Sequence, residues 1–169
     1  EKNPNALDLI LQSISDIFEY VIIDSEPFYC SLSVMSLTAA SHVIIPTIPN
    51  GSNYQPLYKT IREVEKFGIQ NKKEIDLLGI VPSQCVLKRT EHVGVLKMLF
   101  KQYSNLILPP IHEHADISFA FSCGMDIFSF CPPRKNSGSI FSEKKAAQEL
   151  GLLSMEVFRR LNSYSLVQI

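Results

Sequence analysis

This sequence predicts an α/β fold: three layers, with a mostly parallel sheet and helices on both faces. Three observations carry that expectation. Short apolar runs at 20–24, 43–47, 77–81 and 106–108 alternate with stretches of helical periodicity, the signature of βαβ units. The runs are almost continuously apolar, as in strands covered on both faces. At 169 residues, 46% of them hydrophobic, the chain fits one domain over 1–169 with a real core.

The elements follow in order. Asn3-Pro4 opens a helix in which Leu7, Ile10, Leu11, Ile14, Ile17 and Phe18 recur at helical spacing. Val21, Ile22 and Ile23 are β-branched and make the first strand, which ends at Asp24. Residues 31–40 read as a second helix. The strand at 43–47 runs into a loop of turn formers: Pro46, Pro49, Asn50, Gly51, Ser52 and Asn53. A charged helix at about 55–67 has Leu57, Ile61 and Val64 on one face. The strand at 77–81 ends at Pro82, and a helix over 91–103 turns Val95, Leu96, Leu99 and Phe100 inward. The short strand at 106–108 meets Pro109-Pro110. A helix over 115–123 stops at Gly124, residues 132–139 form a loop, and 142–161 make the last helix. All strands should end on one edge, with Asp24, Pro46 and Pro82 clustered along it.

Composition narrows the function classes. A net charge of −1 makes no global case for nucleic-acid binding, so such a site must be a local patch. Lys88, Arg89 and Lys97, with Arg134 and Lys135, are the candidate cations; a solvated face is the alternative. No apolar run reaches the ~18–20 residues that span a bilayer, so no membrane partner is expected. The four cysteines are scattered, which suits buried free thiols in a reducing, cytoplasmic setting rather than a zinc or redox pair.

Chemistry concentrates in two places. Asp24 follows an apolar strand, the position from which nucleotide-hydrolysing folds hold Mg²⁺; an ordinary strand end is the competing reading. Loop 109–116 carries His112, Glu113, His114 and Asp116. A metal cluster there lacks the helical His spacing of a zincin and any cysteine, so metal binding is the weaker reading of this loop.

Laid end to end, these pieces resemble the later half of the ParA/MinD family of ATPases, most closely the ParA branch. Residues 20–27, Tyr-Val-Ile-Ile-Asp-Ser-Glu-Pro, resemble the family's Tyr-Ile-Ile-Ile-Asp-Thr-Pro-Pro. Residues 38–49 are similar to its Ala-Ala-Asp-x-Val-Ile-Ile-Pro-x-x-Pro segment, and 78–81 to its Leu-Gly-Ile strand. Ile117, Ala120 and Gly124 fall in register with its Leu-x-x-Ala-x-x-x-Gly stretch. The resemblance implies ATP and Mg²⁺ as cofactors, with Asp24 reaching the metal through water. It places Pro82, Ser83, Gln84, Ile111 and His112 beside the nucleotide and Lys88 and Arg89 on DNA. It further implies a homodimer, non-specific DNA binding, a stimulating partner of the ParB type and a role in plasmid or chromosome partition.

Departures from the family pattern are equally plain. No Gly-x-x-x-x-Gly-Lys-Ser/Thr occurs, so the N–H cradle and lysine for phosphates are missing. Glu26 and His112 stand where the family has Pro, and Glu113 where many members carry Arg. The expectation is a C-terminal portion whose catalytic lysines lie in an absent N-terminal half, leaving this stretch inactive by itself and no general base to name. Two alternatives stand beside it. One is a non-enzymatic interaction module retaining half a P-loop fold. The other is a different MinD-superfamily ATPase, such as those of iron–sulfur assembly, whose close cysteine pair Cys123 and Cys131 do not supply.

Overall fold

The computed structural model describes residues 3–26, 30–130 and 145–165. Six helices and two strands occur among them: α1 (Ala6–Gln12), α2 (Ser31–Ala39), β1 (His42–Thr47), α3 (Gly51–Asn71), β2 (Asp76–Pro82), α4 (Thr90–Tyr103), α5 (Ala115–Ser122) and α6 (Lys145–Ser165). The order is α/β and the pairing is parallel. Asp76 N–H donates to Ser41 O at 3.0 Å and Ser83 N–H to Thr47 O at 2.8 Å, so β1 and β2 run in the same direction, with seven residues of one spanned against six of the other. Two compact units divide the chain: Glu1–Val43 with Tyr58–Leu77, and Ile44–Leu57 with Leu78–Ile169.

In the first unit α1 packs on α2. The first helix is shorter than its apolar spacing predicts, ending at Gln12 with turns over 13–17. The hydroxyls of Ser13 and Ser15 donate to Ile10 O and Gln12 O, taking up carbonyls at the helix end. Lys73 reaches back to Thr38 O and tethers the end of α2.

The strand expected at 20–24 is absent, which corrects the sequence reading. Among the described residues no strand pairs with this segment; Ile22 is 95% exposed and Asp24 lies open to solvent. An apolar run becomes a strand only where a neighbour takes up its N–H and C=O groups. The strand expected at 106–108 is likewise reduced to one parallel bridge, Ile80 with Ile107. Leu106 and Ile107 turn their amides back to Tyr103 O and so leave the ladder short.

In the second unit β2 supplies the core. Leu78, Ile80 and Val81 are buried, and Val81 packs with Leu108 and Ile111. Ile117, Leu150, Leu153 and Val157 close over that cluster. Gly79 is buried because the chain at 106–108 passes directly over it: a Cβ there would lie 2.6 Å from Leu108 Cγ and 2.8 Å from Leu106 O. No substitute for glycine fits that approach.

Helix α6 is held on this unit by a polar tie. Arg160 donates to Leu78 O and Ile107 O, both at 2.9 Å, and its Nε to Glu156 at 2.8 Å. The guanidinium fork thus serves carbonyls that the shortened ladder leaves over. Hydrogen bonds from Arg159 and then Arg160 pull the Glu156 carboxyl down from 4.5 to about 2. A depressed carboxyl stabilises the fold fully above its unfolded value and loses that contribution as pH falls toward the folded one. Between about pH 5 and pH 2.5, wild-type stability in denaturant titrations should therefore fall more steeply than that of Glu156→Gln. Parallel pH profiles for the two proteins would refute the assignment.

Candidate functional site

Beyond the carboxyl end of β2, two stretches of chain run side by side. Ile111 N–H donates to Pro82 O at 2.8 Å, Cys85 N–H to Ile111 O at 3.0 Å and Glu113 N–H to Cys85 O at 3.1 Å. Cys85 and His112 form a parallel bridge. The sequence-selected residues Pro82, Ser83, Gln84, Ile111 and His112 are thereby brought into one place. Pro82 and Ile111 are buried, Ser83 and His112 half-buried, and Gln84 exposed. Gln84 has φ of 51°, a left-handed conformation that bends the chain out of the strand line. At the strand ends the residues after Pro46 and Pro82 are bonded, Ser83 N–H donating to Thr47 O.

The following turn is fixed from α4. Buried His92 accepts the Val86 N–H at Nδ1, 3.2 Å away. Glu91, in the first turn of α4, accepts the Gly51 N–H at 2.8 Å and so holds the start of α3. Asn50 caps that helix, its Oδ1 accepting from Asn53 N–H at 3.0 Å.

Lys88 and Arg89 are both exposed, and Arg89 is the residue preceding α4. Lys88 borders an open cavity of about 330 Å³ together with His112, Glu113, His114 and Lys145. Lys97 is exposed on α4; Arg134 and Lys135, the loop at 132–139 and Cys131 lie outside the described residues. Of the thiols expected to be buried, Cys85 is, Cys30 is partly so and Cys123 is exposed. Burial, with the nearby Glu149 charge, raises the Cys85 thiol to about 11, so it stays protonated at neutral pH.

Loop 109–116 does more than line an edge. Glu149, from α6, accepts the His112 backbone N–H at 2.9 Å and meets His112 Nδ1 and His114 Nε2 at 2.9 Å each. Burial works to raise the Glu149 carboxyl, but the hydrogen bonds from the His112 backbone and the two imidazoles outweigh it and hold the group below its usual range. Sequence reasoning passed over Glu149. The signal was there: a carboxylate, with Glu156 seven residues on, bordering the apolar stripe Ala146, Leu150, Leu153 and Val157.

Comparison with known proteins follows the same outline. A family model described as an AAA domain matches residues 1–77. A ParA family protein of Chlamydia trachomatis is 26% identical over 132 residues, covering 78% of this chain and 51% of that protein. A ParA family protein of Chlamydia pneumoniae is 24% identical over 140 residues, 82% of this chain and 54% of that protein. The fold matches an ATP complex of McdA from Cyanothece with a TM-score of 0.72 at 21% identity, over 94% of this chain and 57% of that one. The chain is similar to ParA family proteins in sequence and to McdA in fold. A cobyrinic acid a,c-diamide synthase from Mycobacterium smegmatis, with an ATP analogue and magnesium bound, is similar at 27% identity and a TM-score of 0.58, over 66% of this chain and 46% of that one. The chain spans about half the length of the curated relatives it matches. Among its described residues no helix is long and apolar enough to cross a membrane.

Proposed function

We propose that the chain supplies the base-side edge and the DNA-facing loop of a ParA-type partition ATPase. The whole protein binds ATP with Mg²⁺, dimerises, coats DNA without sequence preference and hydrolyses ATP under stimulation by a ParB-type partner in the cytoplasm. The observation that carries this reading is the side-by-side run of 82–86 and 110–113 past the end of β2, where open α/β sheets take their ligands. Pro82, Ser83, Gln84, Ile111 and His112 flank the nucleotide there. Asp24 is an exposed carboxylate, a hard oxygen donor of the kind that suits a largely hydrated Mg²⁺. That ion, when bound, neutralises phosphate charge. The cradle for the phosphates is not in this stretch, which has no glycine-rich lysine loop.

DNA contact is assigned to the exposed pair Lys88 and Arg89, whose neighbour across the cavity, Lys145, adds a third cation and Glu113 opposes them. Replacing both with Ala in the whole protein is expected to weaken binding to all sequences alike. It should also reduce the slope of log affinity against log salt by up to about two phosphate contacts. Filter binding across a salt series reads both quantities. Unchanged affinity and slope in the double variant would remove this loop from DNA binding.

A further inference from the structure

The geometry points to a second, nucleotide-independent metal site: His112, His114 and Glu149 form a half-buried N,N,O set that takes one zinc-class divalent ion. One ligand atom from each lies within 4.8 Å of the others. His112 sits in the extended stretch paired with Cys85, and His114 follows two residues later, so both side chains leave the same face of the chain. Glu149 comes to them from α6, and the three side chains are only 26%, 15% and 12% exposed.

The ring nitrogens and carboxylate oxygens now meet at 2.9 Å. Tetrahedral zinc, with bonds of about 2.0–2.1 Å, needs donors about 3.3 Å apart, so the closest N–O pairs open by a few tenths of an ångström while donors now up to 4.8 Å apart draw in around the ion. It takes the place of the shared hydrogens. Neutral imidazoles then present lone pairs at His112 Nδ1 and His114 Nε2, and their protons sit on the opposite ring nitrogens. The His112 backbone N–H on Glu149 Oε2 is already the outer bond that orients a ligating carboxylate. The fourth position faces the open cavity and is free for water or a ligand.

Two imidazoles with one carboxylate favour zinc over Mg²⁺, which prefers oxygen donors and keeps its waters. The site is therefore separate from the Mg²⁺ that accompanies ATP. It joins the 110–114 segment to α6.

The test is titration of tag-free protein with ZnCl₂ by calorimetry and with Co²⁺ by visible absorption. One equivalent is expected, with the d–d bands of four-coordinate cobalt and no thiolate charge-transfer band. Affinity should fall about tenfold or more in both His114→Gln and Glu149→Gln, while millimolar Mg²⁺ leaves binding unchanged. Nitrogen-15 imidazole spectra of the wild type need no variant. They should show zinc shifting His112 and His114 and sparing His42 and His92. Absence of a saturable equivalent, equal affinity in the variants, a thiolate band abolished by blocking Cys30 and Cys123, or unshifted His112 and His114 signals would each overturn the site.

Discussion

Gly79→Ala is expected to destabilise the second unit by about 3 kcal/mol, near the upper end of what overpacking a core costs. The added methyl would lie 2.6 Å from Leu108 Cδ1 and Cγ, and 2.8 Å from Leu106 O. The side chain of Leu108 could rotate away, but it is 1% exposed and sealed within the cluster of Val81 and Ile111. The carbonyl cannot move without losing its bond from Ile80 N–H, now 2.8 Å. Relief must come from parting the backbones, which breaks the single bridge between Ile80 and Ile107. Thermal or denaturant unfolding measures the loss. Gly94→Ala and Gly151→Ala are the controls, because both glycines sit in helices with nothing within 4 Å of the added methyl. Each should be stabilising, by up to about 1 kcal/mol. If Gly79→Ala behaves like these two, the close passage of 106–108 over β2 is wrong.

Arg160→Met should cost about as much, again roughly 3 kcal/mol. Methionine keeps most of the apolar stem, so packing is nearly conserved. The loss is polar. Leu78 O and Ile107 O each lose a charged donor at 2.9 Å, on residues only 2% and 7% exposed. Carbonyls left without partners in such surroundings cost more than the bonds contributed. Arg160→Lys should recover only part, because a single ammonium cannot fork to two carbonyls and a carboxylate. The adjacent Arg159, 64% exposed at the side chain and bonded to Glu156 alone, is the comparison. Arg159→Met should stay within about 1 kcal/mol of wild type. Equal effects of the two substitutions in denaturant titrations would mean that the inward tie of Arg160 does not stabilise the fold.

Much of this architecture is legible in the sequence because apolar periodicity records which face an element buries. Leu57, Ile61, Val64 and Phe67 recur at three and four along α3 and are all buried; Val95 and Leu99 do the same on α4. The β1 and β2 runs are legible for a related reason, since each has a partner within the chain. Residues 20–24 look just as strand-like, yet form none, because pairing belongs to two segments and periodicity describes only one. Among site residues, the grouping of Pro82, Ser83 and Gln84 with Ile111 and His112 follows from strand order. Glu149 and Arg160 do not follow from it. Both are charged residues of a helix with an ordinary amphipathic pattern, and their inward turn depends on carbonyls and imidazoles contributed by distant stretches. In sequence, helical spacing sets Arg160, three residues past Val157, beside the apolar stripe and Arg159 off it, but the partners of Arg160, Leu78 O and Ile107 O, come from distant stretches that the pattern does not name.

The two polar ties of α6 also bear on the order in which the chain assembles. Glu149 reaches back 35 residues to His114, and Arg160 reaches back 82 to Leu78. By loop-closure entropy the longer connection costs only about 0.8 kcal/mol more than the shorter, so equilibrium barely distinguishes them. Kinetics does. Contacts between β2 and 106–108 span fewer than thirty residues and can form before α6 arrives. Helix α6 is therefore expected to dock late, onto a surface already built. Weakening its ties, as in Arg160→Met, should then speed unfolding in stopped-flow measurements far more than it slows refolding.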